Sequence, residues 1–329
     1  MLKRKPFILL CFGIVALVLL AALPFAGMSL ISLGAIIDSA VSPIDYRIFW
    51  GLRVPRLLTA YAAGGALAVS GMVFQAMFRN SLATPFNLGI ASGASLGAAL
   101  YLQLGLAFTV FGFAGVSLCA FLGAILTTTL VYGITRLKRG FSVTTMLLAG
   151  VCLNFFFTSI IMFLQYISDF TGSFRIVRWL MGSLDVNGFG PFFNLLPFVV
   201  LGFLVILYLS NDINVLATGE ELALSRGVSV TRTKSALFFT TSILVGAVVA
   251  VCGPIGFVGM MAPHICRLII GNDHRYLTPA SFLFGGFFLA MCDTVARMVI
   301  APAELPVGVI TALLGCPFFL WLLLTNKHH

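Results

Sequence analysis

Long apolar stretches, separated by short polar clusters, run along almost the whole chain. Ten of them are long enough to be membrane-crossing helices, since about 20 apolar residues span a hydrocarbon core of about 30 Å. They cover approximately residues 7–27, 55–77, 86–105, 111–135, 143–166, 191–210, 235–252, 255–271, 279–299 and 306–324. They lack the alternation of barrel strands, and backbone groups in lipid must satisfy one another. The pattern predicts an all-α, polytopic membrane protein with about ten transmembrane helices.

The first stretch allows two interpretations, because Lys3, Arg4 and Lys5 precede it. A secretory signal peptide begins with the same charge arrangement, but a small-residue cleavage site follows its shorter apolar core. The stretch at 7–27 is longer and lacks a clear site of that kind. It is therefore more typical of a retained membrane helix.

Composition and charge support the membrane interpretation. Hydrophobic residues make up 60% of the chain and charged residues 9%, with no break in composition, so we expect one domain over residues 1–329. With the N-terminus inside, 13 of the 19 Lys and Arg residues fall on the cytoplasmic side. The positive-inside rule therefore places both termini in the cytoplasm. The net charge of +9 then reflects topology and attraction to lipid headgroups, and it does not indicate nucleic acid binding.

Two groups of charged residues lie at the predicted outer ends of helices. Arg53 and Arg56 open the second helix, and their spacing places them on adjacent faces. Arginines at helix ends commonly anchor in the headgroups, but this pair could instead form a docking point for an acidic extracytoplasmic protein. Asp293 and Arg297 are four residues apart in the ninth helix. An intramembrane carboxylate usually has a partner or a function, so we expect either a local ion pair or a functional site.

The longest predicted cytoplasmic loop spans residues 211–234. Its centre, Leu216 to Arg226, predicts one short amphipathic helix with Gly219 and Gly227 beside it. Such a helix lies in the headgroups or docks into a groove on a cytoplasmic partner. We expect Leu216, Ala223 and Leu224 on one side of it, and Glu220, Glu221 and Arg226 in water.

Two glycine-rich ladders predict close helix contacts. Small residues spaced three or four apart let membrane helices approach where no hydrophobic drive exists. They are Gly64, Ala68 and Gly71 in the second helix, and Gly89, Gly93 and Gly97 in the third.

Motifs for chemistry are absent from the sequence. It contains no G-x-x-x-x-G-K-[ST], no H-E-x-x-H and no G-x-S-x-G, and its seven cysteines form no C-x-x-C pair. We therefore expect no ATPase, catalytic or metal site, and cysteines that serve only as small apolar packing residues. Proton- or sodium-coupled carriers typically need midplane carboxylates, which are almost missing. The sequence predicts a transport pathway without its own energy source.

Two long blocks and a short one resemble a known family. They are residues 53–97, which include RVPRLL and RNSLATPFNLGIASGASLG, residues 253–321, which include GPIGFVGMMAPHICRLIIGNDHR, DTVAR and APAELPVGVITALLGCPFFLW, and LLAG at 147–150. They closely resemble the FecCD-type permeases, the membrane subunits of ABC importers for ferric siderophores, haem and cobalamin. The resemblance implies ten helices, with helices 2–5 and 7–10 as inverted repeats, in a bacterial cytoplasmic (inner) membrane. It also implies a second permease copy or a sister permease, two ABC ATPase subunits that bind ATP and Mg, and an extracytoplasmic substrate-binding protein.

The resemblance also implies roles for particular residues. Positions that meet acidic residues of the binding protein are matched by Arg53, Arg56 and Arg297. Positions of the segment that couples to the ATPase are matched by Leu216, Gly219, Glu220, Leu224 and Gly227. Positions of the cytoplasmic gate are matched by Asn80, Leu82, Ser142 and Thr144. The family's usual proline after the asparagine of the gate turn is Ser81 here.

The sequence therefore predicts a transport permease that is not an enzyme, binds no cofactor itself, and works by alternating access driven by partner ATPases. Three other functions remain in view. A secondary carrier would need an ion-coupling residue, for which Asp293 is the sole candidate. A membrane-embedded enzyme would need a catalytic constellation, and a receptor or structural subunit would need no gate. The substrate among siderophore, haem, cobalamin and other cargo stays open.

Overall fold

A computed structural model gives the structure of residues 5–27, 34, 36, 41–110, 112–137 and 142–325. Of the cationic residues used to predict orientation, Lys3, Arg4, Lys138, Arg139 and Lys327 lie outside these ranges. The helices are α1 (Lys5–Ala22), α2 (Pro43–Ile48), α3 (Val54–Phe78), α4 (Ile90–Gln103), α5 (Gly115–Leu137), α6 (Val143–Ile167), α7 (Phe170–Leu180), α8 (Gly190–Tyr208), α9 (Ser210–Thr218), α10 (Glu220–Ser225), α11 (Val230–Cys252), α12 (Val258–Ile270), α13 (His274–Met298) and α14 (Val307–Thr325).

Shorter elements connect these helices. A 3₁₀ turn follows α1 at Leu23–Phe25, a π-helical stretch joins α2 to α3 at Phe49–Arg53, and a second 3₁₀ turn covers Pro85–Leu88. The strands β1 (Thr109–Val110) and β2 (Phe113–Ala114) pair antiparallel.

Each of the ten predicted membrane helices has a counterpart, so the all-α polytopic fold is confirmed. Within the described ranges, seven helical stretches are long and apolar enough to cross a membrane, and α12 and α14 are shorter apolar helices. The predicted third helix, 86–105, is shorter in the structure. Its first turn is the 3₁₀ turn at Pro85–Leu88, and α4 begins only after Gly89, whose φ of +74° breaks the regular helix.

Three elements have no counterpart in the prediction. They are α2 with its π-helical continuation, the short β pair, and α7. Helix α7 begins where Asp169 accepts a hydrogen bond from the backbone N–H of Gly172 at 2.9 Å, an N-cap that satisfies an orphan donor. Its length of 11 residues is too short to span a bilayer, so a search for apolar spans passes over it.

Helix α3 forms the centre of the bundle and is buried along nearly its whole length. Both predicted glycine ladders lie at close contacts. A Cβ on Gly64 would overlap the carbonyl oxygen of Gly285 in α13, and one on Gly71 would overlap that of Gly259 in α12. In α4, a Cβ on Gly93 would lie 2.8 Å from the carbonyl oxygen of Gly123 in α5. These glycines let backbones touch, as the ladder pattern predicts.

Helix α1 lies against α13 at the edge of the bundle. The rings of Phe12 and Phe284 meet edge to face with centroids 6.2 Å apart. Most other side chains of α1 point away from the bundle, and Phe7 and Leu17 are 66% and 69% exposed. An apolar face of this kind is suited to lipid.

Candidate docking, coupling and gating sites

The two ends of the bundle carry different residues. We call the end with Arg53, Arg56 and Arg297 the arginine end, and the end with residues 211–234 the coupling end.

At the arginine end, Arg56 holds two carboxylates. Its Nε and Nη2 donate to the Asp293 carboxylate at 2.9–3.1 Å, and its Nη1 donates to Glu304 Oε2 at 2.7 Å. The Asp293 side chain is only 2% exposed, whereas that of Glu304 is 43% exposed. A buried carboxylate needs both charge and hydrogen-bond partners, and Arg56 supplies them to Asp293 from a different helix.

Arg297 completes this cluster from the same helix as Asp293. Its Nε lies 3.3 Å from Asp293 Oδ2, four residues apart, and its Nη2 donates to Thr294 Oγ1 at 3.3 Å. The local ion pair expected from the sequence is therefore present, but Asp293 shares its charge between two arginines. One carboxylate between two guanidinium groups holds them close together despite their mutual repulsion.

Arg53 points in another direction. Its Nη1 donates to the backbone carbonyl oxygens of Pro24 at 2.9 Å and Phe25 at 3.3 Å, and the residue is 6% exposed. Arg53 thus ties the start of α3 to the end of α1. A cavity of about 770 Å³ is nevertheless lined by all three arginines, together with Arg178 and Glu304. Docking of a binding protein on these arginines stays a prediction.

At the coupling end, the structure corrects the single helix expected from Leu216 to Arg226. Two helices, α9 and α10, meet at Gly219, whose φ of 144° and ψ of 149° are accessible essentially to glycine alone. Because the helix breaks there, Leu216 and Leu224 do not share a side. Leu216 is buried at 4% exposure, whereas Leu224 is 62% exposed.

Helix α10 is fixed at both of its ends. At its start, Glu220 pairs with the Nζ of Lys234 in α11, and the Lys234 side chain is 3% exposed. At its end, Gly227, with φ of +80°, allows the N–H of Val228 to bond the carbonyl oxygen of Ala223 at 3.0 Å. This closure is a Schellman motif, which satisfies the last helix carbonyls. The surface of α10 that remains outside includes Leu222 and Leu224.

The predicted gate residues lie at two helix junctions. Asn80 Oδ1 accepts a hydrogen bond from the backbone N–H of Leu82 at 2.9 Å, which closes the turn after α3. This side-chain turn restrains the backbone around Ser81. Ser142 caps α6 by accepting from the N–H of Thr145 at 3.4 Å, and both Ser142 and Thr144 are exposed.

A cavity of about 880 Å³ opens beside the turn that carries Asn80 and Leu82. Its lining is mainly apolar and comes from α3 and the turn after it, from the start of α12 with the residues just before it, and from the second half of α14. It includes Leu67, Leu82, Phe86, Phe257, Met260 and Phe319. Of the four predicted gate residues, Leu82 is the one that lines this cavity, whereas Ser142 and Thr144 lie at the start of α6. Phe257 in its wall has a φ of +67°, a conformation that costs a bulky residue energy.

Comparison with known proteins settles the family. The profile of the FecCD transport family matches residues 13–325. The chain belongs to this family. It is 37% identical to the hemin transport system permease protein HmuU of Yersinia pestis over 99% of this chain and 98% of that protein. It is also 37% identical to the vitamin B12 import system permease protein BtuC of Shigella boydii, over 97% and 95% of the two chains.

A solved structure of a metal-chelate type ABC transporter in an inward-facing conformation has the same fold. It superposes with a TM-score of 0.86 at 31% identity, and covers 97% of this chain and 99% of that one. The FecCD chain described here is therefore an ABC transporter permease, and its helices serve transport.

Sequence reasoning named Arg56 and Asp293 separately, but it missed Glu304 and Lys234 and did not predict which charged groups meet in this FecCD chain. Glu304 and Arg56 are separated by 248 positions, and Arg56 and Asp293 by 237, so no local pattern connects them. The residue type of Asp293 was the available signal, because a carboxylate inside a membrane helix usually has a charged partner. Lys234 gave a weaker signal, as a lysine at the start of a membrane helix usually lies in the headgroups.

Proposed function

We propose that this chain is the permease subunit of an ATP-driven importer that carries an iron chelate, either a siderophore or haem, or cobalamin, into the cytoplasm. The observation that supports it most is the family match along 13–325, joined to relatives named for hemin and vitamin B12 transport. The apolar cavity of about 880 Å³ agrees with it in size, since pockets for small molecules and cofactors measure about 300–1,000 Å³.

Energy would come from separate ATPase subunits that bind ATP and Mg at the coupling end. Leu222 and Leu224 expose an apolar edge on α10, with 53% and 62% exposure. An amphipathic helix presenting such an edge suits a groove on a partner. The permease would bind no cofactor itself and would perform no covalent chemistry.

An extracytoplasmic binding protein would dock at the arginine end and deliver the substrate. Arg56 and Arg297 line the cavity there and are each 12% exposed at the side chain. A second copy of this chain, or a sister permease, would complete the pathway around a two-fold axis. The assembly would lie in a bacterial inner membrane with lipid around it and both termini in the cytoplasm.

Transport would proceed by alternating access. With ATP bound, the partner ATPases would bind one conformation of the permease more tightly than the other, and this difference in affinity would drive the change. Asn80 and Leu82 in the turn after α3, with Ser142 and Thr144 at the start of α6, would then open and close the cytoplasmic side.

The experiment is uptake into proteoliposomes that contain the permease with its ATPase subunit, with the binding protein from the same source and radiolabelled ferric siderophore, haem or cobalamin as cargo. We expect uptake of one of them that requires ATP and the binding protein. The control is an ATPase subunit with its catalytic site inactivated. Uptake that persists without ATP and collapses with the ion gradient would overturn the proposal in favour of a secondary carrier.

A further inference from the structure

Helices α3 and α13 form one packed unit that runs between the two ends of the bundle. A Cβ on Gly64 would overlap the carbonyl oxygen of Gly285, and one on Gly285 would overlap the side chain of Ala68. Close-packed interiors have low compressibility and transmit displacement. A movement applied to one end of this pair therefore reaches its other end.

At the arginine end, ion pairs join α3 to α13. Arg56 of α3 holds Asp293 of α13 at 2.9 Å, and Arg297 holds the same carboxylate at 3.3 Å. His274 and Asp293 lie on the same helix, and 19 residues at 1.5 Å each separate them by about 28 Å. The pair is thus long enough to link the two faces of a bilayer.

The coupling end of the pair is held by Asn214 of α9. Asn214 Oδ1 accepts a hydrogen bond from the backbone N–H of His274 at 2.9 Å and lies 2.8 Å from His274 Nδ1. Asn214 Nδ2 donates to Asp273 Oδ1 at 3.0 Å. One amide therefore engages the N-cap residue of α13, its first backbone N–H and its first side chain.

Two further contacts support this junction. Asp273 is held by Arg275, whose Nη2 donates to Oδ2 at 2.8 Å. Arg79, at the end of α3, donates from Nη2 to the carbonyl oxygen of Leu216 at 3.5 Å. Helix α9 is therefore attached to both members of the α3–α13 pair, directly before Gly219 and α10.

We propose that Asn214 is a positioning residue that attaches the coupling segment, residues 216–227, to the α3–α13 pair, so that ATPase movement reaches the arginine cluster. This inference rests on the proposed function. Coupling between sites is reciprocal in binding free energy. A binding protein docked at the arginine end therefore acts back on the ATPases through the same junction.

The test uses the assembled permease, its ATPase subunit and the binding protein from the same source, in proteoliposomes. We compare Asn214→Ala with Asn211→Ala, which removes the same amide from an exposed position on the same helix. The measurement is the ratio of ATPase rates with and without loaded binding protein. We expect Asn214→Ala to lower this ratio by about fivefold or more, the lower range of allosteric couplings, and Asn211→Ala to leave it as in the wild type.

A second variant separates coupling from folding. Asn214→Asp keeps an acceptor for the backbone N–H of His274 and leaves the Asp273 cap of α13 in place, but it sets a carboxylate against Asp273 where the wild type has a donor. We therefore expect Asn214→Asp to lower the ratio as Asn214→Ala does, while the complex still assembles. Equal ratios for Asn214→Ala and Asn211→Ala, or a wild-type ratio for Asn214→Asp, would overturn the role of Asn214. Absence of ATP-driven uptake by the wild type would instead overturn the proposed function.

Discussion

Arg56 and Asp293 join helices α3 and α13 through a two-pronged ion pair, although 237 positions separate them in the sequence. The Asp293 carboxylate is almost fully buried and also meets Arg297 at 3.3 Å. Two positive charges thus share one negative charge at the arginine end. The exposed Glu304 completes the charge balance by binding Arg56 Nη1 at 2.7 Å.

Loss of the buried carboxylate removes the charge partner of Arg297 and leaves Arg56 with Glu304 alone. We expect Asp293→Asn to destabilise the fold by about 3–5 kcal/mol, the usual result of breaking a buried pair on one side. The measurement is thermal unfolding in detergent. The control is Asp185→Asn, because the Asp185–Arg178 pair is 69% and 64% exposed and is worth no more than about 1 kcal/mol. Equal stability of the two variants would contradict the role of Asp293.

Glu304 forms an ion pair with Arg56, whose guanidinium would otherwise be available to the proposed binding protein. We expect Glu304→Gln to tighten binding-protein association roughly threefold at low salt, because a partly exposed ion pair is worth up to about 1 kcal/mol. Binding is measured by surface plasmon resonance on permease in nanodiscs. Glu221→Gln, an exposed change at the coupling end, serves as the control. Weaker binding by Glu304→Gln would indicate that Glu304 orients Arg56 and does not compete for it.

The Leu224 side chain on α10 is largely exposed in the permease alone. We expect Leu224→Asp to weaken association with the ATPase subunit by about tenfold or more, because a charge would enter an apolar contact. Folding should be unaffected, since Leu224 is 62% exposed. Co-purification yield and circular dichroism measure the two effects. Leu137→Asp, at the end of α5 and 86% exposed, tests whether any exposed leucine at this end has the same effect.

Gly64 allows α3 to lie directly against the backbone of α13. We expect Gly64→Ala to cost about 1–3 kcal/mol, because its Cβ would overlap the Gly285 carbonyl and force the helices apart. Gly133→Ala in α5 is the matched control, since a Cβ there meets nothing within 4 Å. That change should stabilise its helix by up to about 1 kcal/mol. Similar melting temperatures for both variants would show that α3 and α13 can separate without cost.

The Asp273 carboxyl group makes the free energy of unfolding depend on pH in the acid range. Hydrogen bonds from Arg275 are the largest cause that holds the pKa of Asp273 well below its ordinary range, and a hydrogen bond from Asn214 lowers the pKa further. A carboxyl group whose pKa is lower in the folded state adds stability above its unfolded pKa and loses it as pH falls through the folded pKa. The stability gap between wild type and Asp273→Ala should therefore stay constant from about pH 5 to 8 and shrink below about pH 4. A constant gap down to about pH 3 would exclude this titration.

The sequence by itself determined the ten helices, the glycine ladders and the family. Lipid as a solvent acts on each segment independently, so a run such as 143–166 predicts a helix whatever surrounds it. Glycines spaced along one face likewise predict a close helix contact, but they do not identify the partner helix. The blocks at 53–97 and 253–321 carried the resemblance that the FecCD profile confirms.

Only the tertiary structure decided which charged groups meet and which helix faces remain free. The bond between Arg56 and Asp293 depends on how α3 lies against α13, and this contact joins residues far apart in the chain. The same holds for Asn214 with His274, and for Lys234 with Glu220. The break at Gly219 turns Leu224 outward because glycine tolerates a φ of 144°, and the sequence alone does not tell that the chain uses this freedom there.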